Sequence, residues 1–118
     1  MTSGPPANNQ PVVSALTEVA EAADEIALDQ QRLARRARSM KRQSELGRSW
    51  SQILQSERQP GLLVLMTRSA RRLHEVSSRL RPALGQVLMH EGLSTRQIAK
   101  MFGVTHQRIS AMLNRRSP

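Results

Sequence analysis

His106, Gln107, Arg108, Ser110 and Asn114 fall close together near the C-terminal end, and each side chain ends in hydrogen-bond donors or acceptors. Gln and Asn present a carbonyl and an amide side by side, the pattern that pairs with the edge of an adenine. Arg and His reach the acceptors of a guanine, and the methyl of Ala111 fits against that of a thymine. The chemistry on offer is recognition of a base-pair edge. Bond making is poorly served: His74, His90 and His106 are widely dispersed, cysteine is absent and no Gly-rich phosphate loop occurs. A nucleophile, a metal site or a cofactor site needs closely grouped partners that this spacing does not supply, so no catalytic residue, metal or cofactor is expected and the chain reads as a non-enzyme.

Such side chains read bases only when a helix holds them in one row, and the sequence around them has the marks of two short helices joined by a tight turn. Ile98, Ala99, Phe102, Val104, Ile109 and Met112 are spaced so that two helices bury them between one another. Ala99 is small where the helices approach most closely, and Gly103 sits where the chain must turn. Ser94 with Gln97 forms a capping-box pattern, and Thr105 is placed to cap the second helix. Residues 94–116 therefore predict a helix-turn-helix whose second helix is the recognition helix. The blander alternative is a two-helix corner of an all-helical core. Charge favours the first: Arg96, Lys100, Arg108, Arg115 and Arg116 lie beyond Leu93 with no acidic residue among them, as contacts to phosphate require. With Ser94, Thr95, Thr105, His106, Gln107, Ser110 and Asn114, these are the candidate DNA-binding residues.

The whole composition fits that reading. The chain has 118 residues, a size for one small domain, or for one domain plus an extension. Its only large rings are Trp50 and Phe102, so there is no stacking platform for unpaired bases, and double-stranded DNA is the expected partner. No apolar run is long enough for a membrane span, so no membrane partner is expected and a cytoplasmic, nucleoid-associated location is the default. The net charge of +9 is unevenly spread. Residues 1–30 carry five acids (Glu18, Glu21, Asp24, Glu25, Asp29) and no Lys or Arg, whereas residues 31–118 carry 18 basic and four acidic residues. The acidic stretch can repel DNA, pair with the chain's own cations or engage a protein partner.

Stepping along the chain, residues 1–13 are rich in Pro, Gly, Ser and Asn and are expected to be disordered. Residues 14–46 predict one long helix, with Leu16, Val19, Ala23, Ile26, Gln30, Leu33, Ala37, Met40 and Ser44 at heptad spacing. Two copies running antiparallel would set acidic halves against basic halves, so Leu16, Val19, Ile26, Leu33 and Met40 are the expected seam of a homodimer. Packing of the same stripe within its own chain is the alternative. Residues 47–118 are then the DNA-binding domain. Within it, Gly47 ends the long helix, and Ser49 with Gln52 caps a short one expected to bury Trp50, Ile53 and Leu54. Pro60 and Gly61 break the chain before a helix over about residues 62–78. Pro82 marks the first turn of a further helix to His90. Arg68, Arg71, Arg72 and Arg79 either line a second phosphate contact or are simply solvated.

The segments GRSWSQILQSERQPGLLVLMTRSARRL and LRPALGQVLMHEGLSTRQIAKMFGVTHQRISAMLNRR resemble small actinobacterial helix-turn-helix proteins, a group of DNA-binding regulators and nucleoid-associated proteins. The resemblance covers roughly residues 35–116. It implies an all-α fold and DNA binding by the last helix, through Thr105, His106, Gln107, Arg108 and Ser110. The GRSWSQIL segment also looks like the opening of such a motif, but QSERQPGLL stands where its turn and recognition helix should follow, so it is read as structural support. The expected function is a transcriptional regulator that reads the major groove, acting as a homodimer. The alternatives are an architectural, nucleoid-associated protein of low sequence specificity, or an adaptor that recruits a replication or transcription protein through its acidic helix.

Overall fold

The computed structural model describes residues 9–114, and every regular element among them is an α-helix. In chain order these are α1 (Gln10–Glu45), α2 (Trp50–Gln55), α3 (Leu62–His90), α4 (Thr95–Phe102) and α5 (His106–Asn114). No helix among the described residues is long and apolar enough to cross a membrane. The chain divides into two compact units, one of residues 19–75 and the other of residues 1–18 with 76–118.

Helix α1 starts earlier than its sequence suggests, so residues 10–13 of the expected disordered tail are helical; residues 1–8 lie outside the described chain. Pro11 falls in the first turn, where a missing N–H costs nothing, and the Asn9 carbonyl accepts the Val13 N–H at 2.9 Å. A larger correction concerns Pro82. It lies inside α3, which runs unbroken for 29 residues where two helices were expected. Proline removes one hydrogen bond, but its φ is helical. The inward positions Leu65, Ser69, Arg72, Val76, Leu80, Ala83 and Val87 recur every three or four residues across it. The buried face thus keeps its phase on both sides of the proline, and packing outweighs the lost bond.

In the unit of residues 19–75, the core is made by Ala22, Ile53 and Leu65, all nearly inaccessible. The Ser49–Gln52 capping box forms, with Ser49 Oγ accepting the Gln52 N–H at 3.2 Å and Gln52 Oε1 accepting the Ser49 N–H at 3.0 Å. Only Ile53 of α2 is buried. Trp50 is 57% exposed and Leu54 is also exposed, contrary to the expectation that all three face inward, because a six-residue helix has fewer than two turns and one inward position. The α2–α3 connection is held by Arg36, which donates to the carbonyls of Arg58 and Pro60, and by Glu57, whose carboxylate accepts the Leu62 N–H at 2.7 Å.

The other unit is built on Ile98, Ala99, Ile109 and Leu113, with Leu88, Leu93, Phe102, Val104 and Met112 packed around them. Gly85 of α3 sits under this cluster. A Cβ placed there would lie 3.2 Å from both Leu113 Cδ2 and Met112 Cε, so its hydrogen is what lets α5 come close.

Candidate nucleic-acid interface

Helices α4 and α5 are positioned by short-range chemistry that repeats at each end. At the start of α4, Ser94 Oγ accepts the Gln97 N–H at 3.2 Å and Gln97 Oε1 accepts the Ser94 N–H at 2.8 Å. These bonds satisfy two of the donors that a helix leaves unpaired. Gly103 closes α4 with φ 70°, and Val104 donates to the Ala99 carbonyl at 3.0 Å. A side chain in that left-handed conformation would clash with its own backbone, which explains glycine here. Thr105 then opens α5, its Oγ1 accepting the Arg108 N–H at 3.2 Å.

Those caps fix which faces are free. Ile98 and Ala99 of α4, and Ile109 and Leu113 of α5, are buried together. Opposite them, Gln107, Ala111 and Asn114 form one exposed row at i, i+4 and i+7, with Arg108 exposed beside it and His106 and Ser110 half-buried at its edge. On α4, Arg96 and Lys100 are exposed one turn apart, while Thr95 is half-buried and Ser94 is exposed at the cap. Ten of the twelve candidate DNA-binding residues therefore belong to this helix pair; Arg115 and Arg116 lie outside the described residues. No carboxylate among the described residues pairs with Arg96, Lys100 or Arg108.

The arginines of α3 differ. Arg68 grips Asp29 with two parallel bonds, Nη2 to Oδ1 at 2.8 Å and Nε to Oδ2 at 3.0 Å. Arg32 adds a weaker contact to the same carboxylate at 3.4 Å. Arg72 reaches Glu25 at 3.2 Å, and Arg79 reaches Glu18 at 2.6 Å. Three of the four arginines weighed as a second phosphate contact are thus tied to acids of α1, and Arg71 is not. Asp29 is only 6% exposed. The hydrogen bond from Arg68 holds its carboxyl below the ordinary carboxylate value against the opposing effect of burial, and the nearby positive charges of Arg68 and Arg32 lower it further.

The expected dimer seam is correspondingly altered. Val19, Ile26, Leu33 and Met40 are half-buried within the chain, while Leu16 is exposed. The most buried positions of α1 are Ala15, Ala22 and Asp29, one residue removed from the expected Leu16, Ala23 and Gln30. Small alanines and an arginine-seeking aspartate win the inward places because they allow a helix to approach and an ion pair to close. A signal for this was present: Glu18, Glu25 and Asp29 are spaced by seven and four, and Arg79, Arg72 and Arg68 repeat those intervals in reverse. Among the described residues, no group of three or more His, Asp or Glu is placed to hold a metal ion. Compared with known proteins, the chain matches no family model, no curated protein and no solved structure.

Proposed function

We propose that the chain binds duplex DNA through α4 and α5, a helix-turn-helix in which α5 lies in the major groove as the recognition helix. The observation that carries this reading is the division of α5 into two faces. One is anchored by Ile109 and Leu113; the other offers Gln107, Ala111 and Asn114 with Arg108 alongside. Gln107 and Arg108 lie in the first turn, which in this docking geometry meets the base edges, and Asn114 follows down the groove. Ser94, Thr95, Arg96 and Lys100 serve the phosphate backbone from α4, where hydroxyl donors and free cations suit anionic oxygens. A transcriptional regulator is the role proposed.

A nucleoid-type role is the second reading, favoured by Arg35, Arg38, Lys41 and Arg42 of α1. All four are exposed, and no carboxylate among the described residues pairs with them. They would add phosphate contacts without adding base contacts. The adaptor reading loses support, because Glu18, Glu25 and Asp29 already have arginine partners. Fluorescence anisotropy with duplexes selected from a random pool tests the proposal. A protein contacting about six phosphates gives a log–log salt slope near −5. A selected sequence bound at least about a thousandfold tighter than random duplex supports the regulator. Equal binding of both supports the nucleoid-type role, and no binding to either at low salt sinks DNA binding altogether.

A further inference from the structure

Residues 31–56 hold seven Lys and Arg against one acid, Glu45. The chain uses three of these cations itself. Arg32 turns to Asp29 at 3.4 Å, Arg36 donates to the carbonyls of Arg58 and Pro60, and Arg48 reaches the Ser56 hydroxyl at 3.4 Å and the Gln52 carbonyl at 3.5 Å. The other four, Arg35, Arg38, Lys41 and Arg42, are exposed and meet no carboxylate among the described residues. At about 100° per residue, Arg35, Arg38 and Arg42 lie within about 60° of one another around α1, and Lys41 widens the arc to about 120°. Leu33, Arg36, Met40 and Gln43, all half-buried, mark the inward side of this stretch. The arc is centred on the opposite side.

Such a row opposes the folding of its own helix. Arg38 stands three or four residues from each of Arg35, Lys41 and Arg42, the spacing at which like charges on a helix repel. No ion pair among the described residues offsets that repulsion, so the row suits an anion outside the chain. We infer that it is a second contact for duplex DNA, one that grips the phosphate backbone without reading bases and belongs to a different unit from α4 and α5. About 10 Å separates its ends along the helix axis, the length of about three phosphates on one strand. The rest of the surface selects this partner. Among residues 34–45 the exposed side chains are these four cations, Ala37 and Glu45. A membrane or a protein partner calls for large apolar side chains to bury, and this stretch exposes none. Phosphate calls only for charge and donors, and three of the four residues are arginines, whose forked N–H groups match its oxygens. Glu45, the last residue of α1, bounds the row. The inference goes beyond the choice between regulator and nucleoid-type protein: the unit of residues 19–75 holds DNA whatever α5 reads.

Anisotropy of a random duplex over a salt series tests it on the full chain. Arg35→Gln, Arg38→Gln, Lys41→Gln and Arg42→Gln together should make the log–log slope shallower by about 3 and leave the preference for a selected over a random duplex unchanged. Because these changes relieve repulsion, Tm should equal or exceed that of the parent. A Tm that falls along with affinity would make the four side chains structural and overturn the inference. In a chain that already carries Arg96→Ala, Lys100→Ala and Arg108→Ala, the row should still bind random duplex with a slope near −3, and the four glutamines should abolish that binding. An unchanged slope in either background overturns the inference, as does row-dependent binding to anionic phospholipid vesicles with none to duplex. The two readings fail separately. Binding lost with the α4 and α5 cations but kept without the row removes this inference and leaves the proposed function; the reverse removes the proposed function alone.

Discussion

Two arginine-rich regions of the molecule have opposite fates. On α3, Arg68, Arg72 and Arg79 close onto Asp29, Glu25 and Glu18, so their charge is spent inside the chain. On α4 and α5, Arg96, Lys100 and Arg108 face solvent with no carboxylate among the described residues to hold them. A cation already paired with an acid gives up that pairing before it can neutralise a phosphate, while an unpaired cation only releases counterions. The number of arginines in a segment is therefore a poor guide to which cations are free for a phosphate; the location of the acids is a better one.

The largest effect that would separate the regions comes from the packing under α5. Ile109 is 1% exposed within the cluster of Ile98, Ala99 and Leu113, and Ile109→Ala should cost about 2–5 kcal/mol of stability. Thermal denaturation should show a lowered Tm, and duplex binding should fall with it because α5 loses its anchor. Next in size, Arg108→Ala and Gln107→Ala should each weaken binding to a preferred duplex by about 1–3 kcal/mol with Tm unchanged. Anisotropy that finds either variant as tight and as selective as the parent removes that residue from the reading face.

A smaller effect sharpens the other side of the comparison. Because Arg68 keeps the Asp29 carboxyl below its ordinary value, the unfolded chain binds the proton first as pH falls. The pair's contribution is complete above the ordinary Asp value of about 4, and it declines through acid to vanish below the folded-state value. Arg68→Ala should lower Tm by roughly 5 °C at neutral pH. The difference between parent and variant should shrink as the solution is acidified below about pH 4. A gap that stays constant down to pH 2 would mean the pair is not its source.

How much of this could be read from the sequence depends on the range of the interaction. The capping boxes at Ser49 and Ser94, the Thr105 cap and the turn at Gly103 are settled within a few residues, and each is where its local pattern places it. Pro82 misled because a local rule about helix starts was overridden by a buried stripe extending on both sides of it. The inward register of α1 was hidden for a similar reason: alanines and Asp29 look like outward residues until the arginines of α3 are set against them. Gly85 gave no local sign either, since its value lies in the approach of Leu113 and Met112. Trp50 looks inward by residue type alone, and the shortness of α2 leaves it outside.

The salt dependence of duplex affinity in two sets of variants tests the comparison most directly. Replacing Arg96, Lys100 and Arg108 together by alanine removes three unpaired cations and should make the log–log slope shallower by about 3. Replacing Arg68 and Arg72 by alanine, measured at a temperature where both proteins are folded, should leave the slope at the parent value. Equal losses of slope in the two sets, or an unchanged slope in the first, would contradict the account.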